Sequence, residues 1–165
     1  MTARGVVYVH ATPTALCPHL EWALSGVLGA RVTLDWTPQP AAPGTVRAEM
    51  SWQGEQGSGA AIASALRAWR MVRFEVTEEP GPTGEGERWS CTPDLGLFRA
   101  SIGVHGDIQV SEDRLRAAVA RAAADPATTL EEQVTQLLGA AWDEELEPFR
   151  YAGEGAPVRW LHQVV

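Results

Sequence analysis

Apolar side chains return at every second position in three stretches of the chain and at every third or fourth in four others. That contrast sets the expected architecture. In "RVTLDW", Val32, Leu34 and Trp36 oppose Arg31, Thr33 and Asp35. In "TVRAEMSW", Val46, Ala48, Met50 and Trp52 oppose Arg47, Glu49 and Ser51. In "MVRFEVTEE", Val72, Phe74 and Val76 oppose Arg73, Glu75 and Thr77. Each reads as a strand with one buried face, and the β-branched, aromatic run from Gly5 to His10 reads as another. Helical spacing joins Leu16, Leu20, Leu24, Val27 and Leu28, with Gly29 as a C-terminal cap, and again Ala61, Ile62, Ala65, Leu66 and Trp69. The order is β-α-β-β-α-β within about 80 residues, the split pattern of ferredoxin-like sandwiches. One apolar face per strand predicts an antiparallel sheet with helices on one side only. The other face would then show Arg31, Asp35, Arg47, Glu49, Arg73 and Glu75 to water.

Beyond "PGPTGEGE", the segments "RWSCT", "LFRASIG" and "DIQV" predict three short strands of a meander. Ser111 is the expected N-cap of a helix carrying Leu115, Ala118, Val119 and Ala122, with Glu112 and Asp113 in its favoured first turn. Thr128 with Glu131, and Thr129 with Glu132, have capping-box spacing. They start a last helix whose stripe runs Leu130, Val134, Leu137, Leu138, Ala141. The fold class is therefore α+β. Residues 1–80 form the ferredoxin-like unit, and residues 81–165 add the meander, two helices and a docked tail, all in one compact unit.

The stretches "ALCPHLEWALSGVLG", "DWTPQPAAPGT" and, above all, "ELEPFRYAGEGAPVRWLHQVV" resemble an actinobacterial family of uncharacterised proteins, carried as a domain of unknown function. The resemblance spans nearly the whole chain. It implies a bacterial setting and assigns no functional residue.

Composition narrows the function classes. The formal charge of −8 argues against nucleic acid as partner, because phosphate binding rests on cationic contacts. All thirteen basic residues are arginine. Without lysine there is no Schiff-base chemistry, no lysine base and no P-loop lysine. No run approaches the roughly 18 apolar residues of a membrane span, and the start lacks the apolar core of an export signal. A cytoplasmic location and no membrane partner are expected. Cys17 and Cys91 are too few for a disulfide framework.

Four stretches carry candidate chemistry. His10, Cys17 and His19 fall within ten positions where a strand gives way to a helix. Cys17 stands before Pro18 at the expected N-cap, where a thiol's pKa falls, so a metal site or nucleophile is one reading. The other packs Cys17 as a small buried group and leaves His19 on the surface beside Trp22. The loop Gly54, Gly57, Ser58, Gly59 opens a helix and is a candidate anion cradle, although it fits no nucleotide motif and Glu55 opposes an anion. Asp143, Glu144, Glu145 and Glu147 crowd what reads as a helix C-terminus, against the dipole. Salt bridges from Arg150 and Arg159 are the expected compensation. A cation site or an acidic docking surface are the alternatives. Phe149, Tyr151 and Trp160 belong to a tail too apolar for a free end. It either packs on its own domain or adds a strand to another chain's sheet.

No constellation combines nucleophile, base and orienting group. The expected role is a non-catalytic binding or regulatory subunit, with Asp143, Glu144, Glu147, Phe149, Tyr151 and Trp160 as its interface. It needs no cofactor, and its partner is another protein or a second copy. The alternative is a small enzyme or metal-binding protein using Cys17 with His19 or His10.

Overall fold

A computed structural model describes residues 1–151. Its centre is β1 (Thr2–Pro13), which pairs antiparallel with β3 (Thr45–Glu55) on one side and with β4 (Arg73–Glu78) on the other. The sheet continues from β4 through β5 (Gly86–Thr92), β6 (Gly96–Ile102) and β7 (Ile108–Gln109), every pair antiparallel. A two-residue strand, β2 (Thr37–Pro38), completes the order β2-β3-β1-β4-β5-β6-β7. The predicted meander thus extends the first sheet rather than forming another.

α1 (Cys17–Leu28) and α2 (Ser58–Leu66) cover one face. Leu20, Leu24, Ile62 and Leu66 are wholly buried against Val7, Val9, Phe74, Val76 and Trp89. Side chains of this size contribute roughly 1.5–3 kcal/mol each when buried, which makes this layer the main source of stability. Gly29 ends α1 in the left-handed conformation, as expected. Gly5 is required for a different reason: a Cβ there would stand 1.8 Å from the carbonyl oxygen of Thr77.

The segment Arg31–Trp36, expected as a strand, is not one. Its apolar side chains do enter the core, with Leu34 buried and Val32 and Trp36 partly so. Its polar groups bond to α1 instead of to a neighbouring strand. The amide of Val32 donates to Ser25 Oγ at 2.8 Å, and Leu34 N and Trp36 Nε1 both donate to Glu21 Oε1 at 2.9 Å. Only Thr37 and Pro38 reach β3. Alternation recorded burial correctly but did not say where the amides would bond.

The second face of the sheet is also not open as expected. α5 (Ala140–Arg150) lies across its β4–β6 half. Trp142 stacks at 5.1 Å on Phe98 and donates Nε1 to the Gly96 carbonyl at 2.9 Å. Leu146 is fully buried. This helix exists because the expected long final helix is broken. α4 (Leu130–Leu137) begins at the Thr129–Glu132 capping box, and Gly139 at φ 74° stops it and turns the chain back to the sheet. Of the two boxes expected, the Thr129 pair caps α4. α3 (Glu112–Ala124) packs on α4, but of its expected stripe only Ala118 is buried. Leu115 and Val119 are exposed.

Candidate functional site

The densest gathering of chemistry lies between α5 and the sheet. Strand alternation turns Glu75 (β4), Ser90 and Arg88 (β5) toward α5, with Glu75 opposite Tyr8 and Ser90 in register. A bulge in β1 between Val9 and Thr12 brings the His10 ring to the same place. Positions 143, 147 and 150 of α5 lie on one helical face, so Asp143, Glu147 and Arg150 meet the sheet together.

Glu75 is at the centre, fully buried. Its Oε2 shares a hydrogen bond with His10 Nε2 at 2.7 Å and accepts one from Arg150 Nε at 3.0 Å. Its Oε1 accepts from Ser90 Oγ at 3.1 Å and from Arg150 Nη2. The same Nη2 donates to Asp143 Oδ1 at 2.9 Å, and Glu147 lies 3.5 Å from Nη1. Burial alone would raise the Glu75 pKa. The bond to His10 and its charge, then those of Arg150, outweigh burial and hold the carboxyl down at about 2. Burial likewise opposes the Arg150 charge, yet Glu75 and then Asp143 raise its pKa above the usual value. Arg88, also buried, has its pKa lowered by desolvation, against the attraction of Glu75 and Asp143. Around this cluster, Gln39 Nε2 donates to the carbonyls of His10 at 2.7 Å and Phe149 at 3.3 Å. The Arg73 guanidinium lies 4.7 Å over the Phe149 ring.

Chemically this is a clamp. Both Glu75 oxygens are saturated by donors, so the carboxylate is not presented to a substrate as a base. Beside the clamp a groove of about 450 Å³ is lined by Arg88, Asp107, Ile108, Thr135, Leu138 and Asp143.

The residues singled out in the sequence fall elsewhere or in other roles. His10 is committed to Glu75 and stacks on Tyr8 at 5.8 Å. Cys17 is the first residue of α1 rather than its cap, and it is buried. Its pKa is raised, not lowered: burial and the nearby Glu21 charge outweigh the backbone hydrogen bond at the helix start. His19 is exposed, as expected, but its ring lies 6.3 Å from that of Trp69. Among the described residues no three His, Cys, Asp or Glu side chains gather in a way that could hold a metal ion. At the Gly54–Gly59 loop, the amides of Gly57 and Gly59 donate to Glu78 at 3.0 and 2.8 Å. The anion at the start of α2 is thus the protein's own carboxylate. Ser58 begins that helix, with its hydroxyl beside Gly54.

Asp143 lies in the first turn of α5, not at a helix C-terminus, because Gly139 starts a new helix. The expected conflict with the dipole is thereby removed at this position. Arg150 does pair with it. Glu144 and Tyr151 are exposed, and Phe149 is half-buried beside Arg73. Trp160 and Arg159 lie outside the described residues. Sequence reasoning assigned Glu75 to open solvent and passed over Ser90 and Arg88. The signal available was a carboxylate between Phe74 and Val76, in a strand too apolar for an edge.

A family model described as a protein of unknown function (DUF3145) matches residues 6–163, nearly the whole chain. No curated protein matches, and no solved structure does.

Proposed function

The chain belongs to that family of proteins of unknown function, and with no activity to inherit from it we propose a non-catalytic subunit that binds another protein through α3 and α4. One observation carries this reading. The α3–α4 pair buries only Ala118 and Gln133 while holding Leu115, Val119, Leu130 and Leu138 exposed. Apolar residues kept in water on a well-formed helix pair fit a surface that is covered in the working assembly. Arg116 is taken up by Glu112, and Glu131 and Glu132 stand in the first turn of α4, so the apolar side chains rather than net charge define the partner's surface, which must itself be apolar. The closed state of the Glu75 clamp and the burial of Cys17 support binding over catalysis.

Residues 1–80 are a ferredoxin-like unit whose second strand has shrunk to Thr37–Pro38, and the second half, described as far as residue 151, completes one compact unit with it. An all-arginine complement fits a GC-rich actinobacterial source, and two free buried cysteines fit the reducing cytoplasm.

The test is capture from native-host lysate with wild-type bait and with Leu115→Glu/Val119→Glu bait. Both side chains are exposed, so the double variant should melt within about 2 °C of wild type, as surface changes usually do. The expected result is one stoichiometric protein retained by wild type and lost with the variant. A partner held equally by both baits, or none at all, overturns the reading.

A further inference from the structure

The groove of about 450 Å³ beside the Glu75 clamp lies between α4, the start of α5 and the sheet at Arg88 and Ile108. Ile108, Leu138 and Ala140 give it an apolar wall, and Leu138 is 41% exposed. Its polar groups are few and of both signs. Arg88 stands in the lining at 3% exposure, Asp107 and Asp143 supply carboxylates, and Thr135 supplies a hydroxyl. A concave apolar surface with a few converging polar groups, one of them a buried charge, is the common form of a small-molecule site.

Each part of the lining restricts what can enter. Desolvation weakens the hold of Arg88 on its proton, so an anion brought beside it is favoured. Ala140, the first residue of α5, lines the same groove, and its cap Gly139 has no side chain to bond the first amides of the helix. Asp143 engages one carboxylate oxygen with Arg150 Nη2 at 2.9 Å, and Asp107 engages one with Gln109 Nε2 at 2.8 Å. Each can offer its other oxygen to a donor. A ligand bearing only a carboxylate would lie against Asp107 and Asp143, and one bearing only an amine would lie against Arg88. Like charges brought together in a desolvated site are costly, so the complement carries both signs and a short apolar body.

We propose that this groove binds a free aliphatic α-amino acid. Its carboxylate lies beside Arg88 and the first turn of α5, its ammonium at Asp107 and Asp143, and its side chain against Ile108, Leu138 and Ala140. The Glu75 clamp holds Asp143 in place through Arg150, so this carboxylate is positioned before the ligand arrives. The site needs no partner at the α3–α4 pair, and either assignment can fail without the other.

Titration of the full chain with L-leucine, followed by two-dimensional NMR, tests it. Isocaproate, which lacks the ammonium, and isoamylamine, which lacks the carboxylate, serve as comparisons. Leucine should move the amides of Ile108, Leu138 and Asp143 along one saturable curve. Isocaproate and isoamylamine should each bind at least about tenfold more weakly, because each leaves a charge of the groove unmatched. Asp107 is exposed, so Asp107→Asn should melt as wild type does while binding leucine about fivefold more weakly, the scale of an exposed charge pair. Absence of a response to leucine, isoleucine and valine at millimolar concentration would overturn the proposal. So would shifts centred away from the groove, analogues that bind as tightly as leucine, or full leucine affinity in Asp107→Asn.

Discussion

At Glu75 a charge is kept in the interior because every one of its acceptor sites is used. A buried ion pair does not by itself stabilise a fold, since desolvation offsets attraction, but removing one partner strands the other. Glu75→Gln leaves Arg150 facing a neutral amide and should cost about 3–5 kcal/mol, read from denaturant midpoints at neutral pH. The acid dependence follows from the depressed pKa. Above its ordinary value near 4.5 the carboxylate is ionised folded or unfolded, and the full contribution is present. As pH falls toward about 2 the unfolded chain takes up the proton first, and the contribution is lost. The wild-type advantage over Glu75→Gln should therefore shrink across that interval and hold steady from pH 5 to 7. A constant difference down to pH 2 would show that Glu75 is not held ionised by His10 and Arg150.

Among the elements, α5 owes its place to a single backbone conformation. Gly139 adopts φ 74°, and a Cβ on it would come within 2.6 Å of the Phe98 ring. That ring is itself packed on Trp142, the third residue of α5. Gly139→Ala meets both penalties, a left-handed backbone and an overpacked aromatic contact, and should lower stability by about 2–3 kcal/mol. Gly44→Ala, with a similar positive φ but open space around it, should cost about 1 kcal/mol. Equal losses at the two sites would remove the Phe98 contact from the explanation. The element boundaries show where sequence reading holds. Helix ends and strand alternation were legible in Thr129, Gly29, Phe74 and Val76. The break at Gly139 was passed over because the spacing of Leu137, Leu138 and Ala141 continues smoothly across it.

For the molecule as a whole, stability is concentrated in the layer between α1–α2 and the sheet, and α3 contributes little to it. Amides of α3 should therefore exchange with solvent through local opening, at free energies well below those of β1 and β4. Hydrogen exchange resolved by segment measures this, and equal protection in α3 and β1 would mean that the α3–α4 pair is integral to the core. What the sequence determined by itself is the apolar face of β1, β3, β4, α1 and α2, and hence an α+β protein built on an antiparallel sheet. Periodicity carries that information because spacing alone fixes which residues share a face, whereas what covers the face, as α5 covers Glu75 while Leu115 stays exposed, is not local. Tertiary structure decided which polar groups meet. Glu75 and Arg150 are 75 positions apart, and the segment at Arg31–Trp36 could satisfy its amides on a strand or on a helix with the same side chains inside. The arrangement with fewer stranded buried polar groups prevails, and that balance is reckoned only when the whole chain has packed.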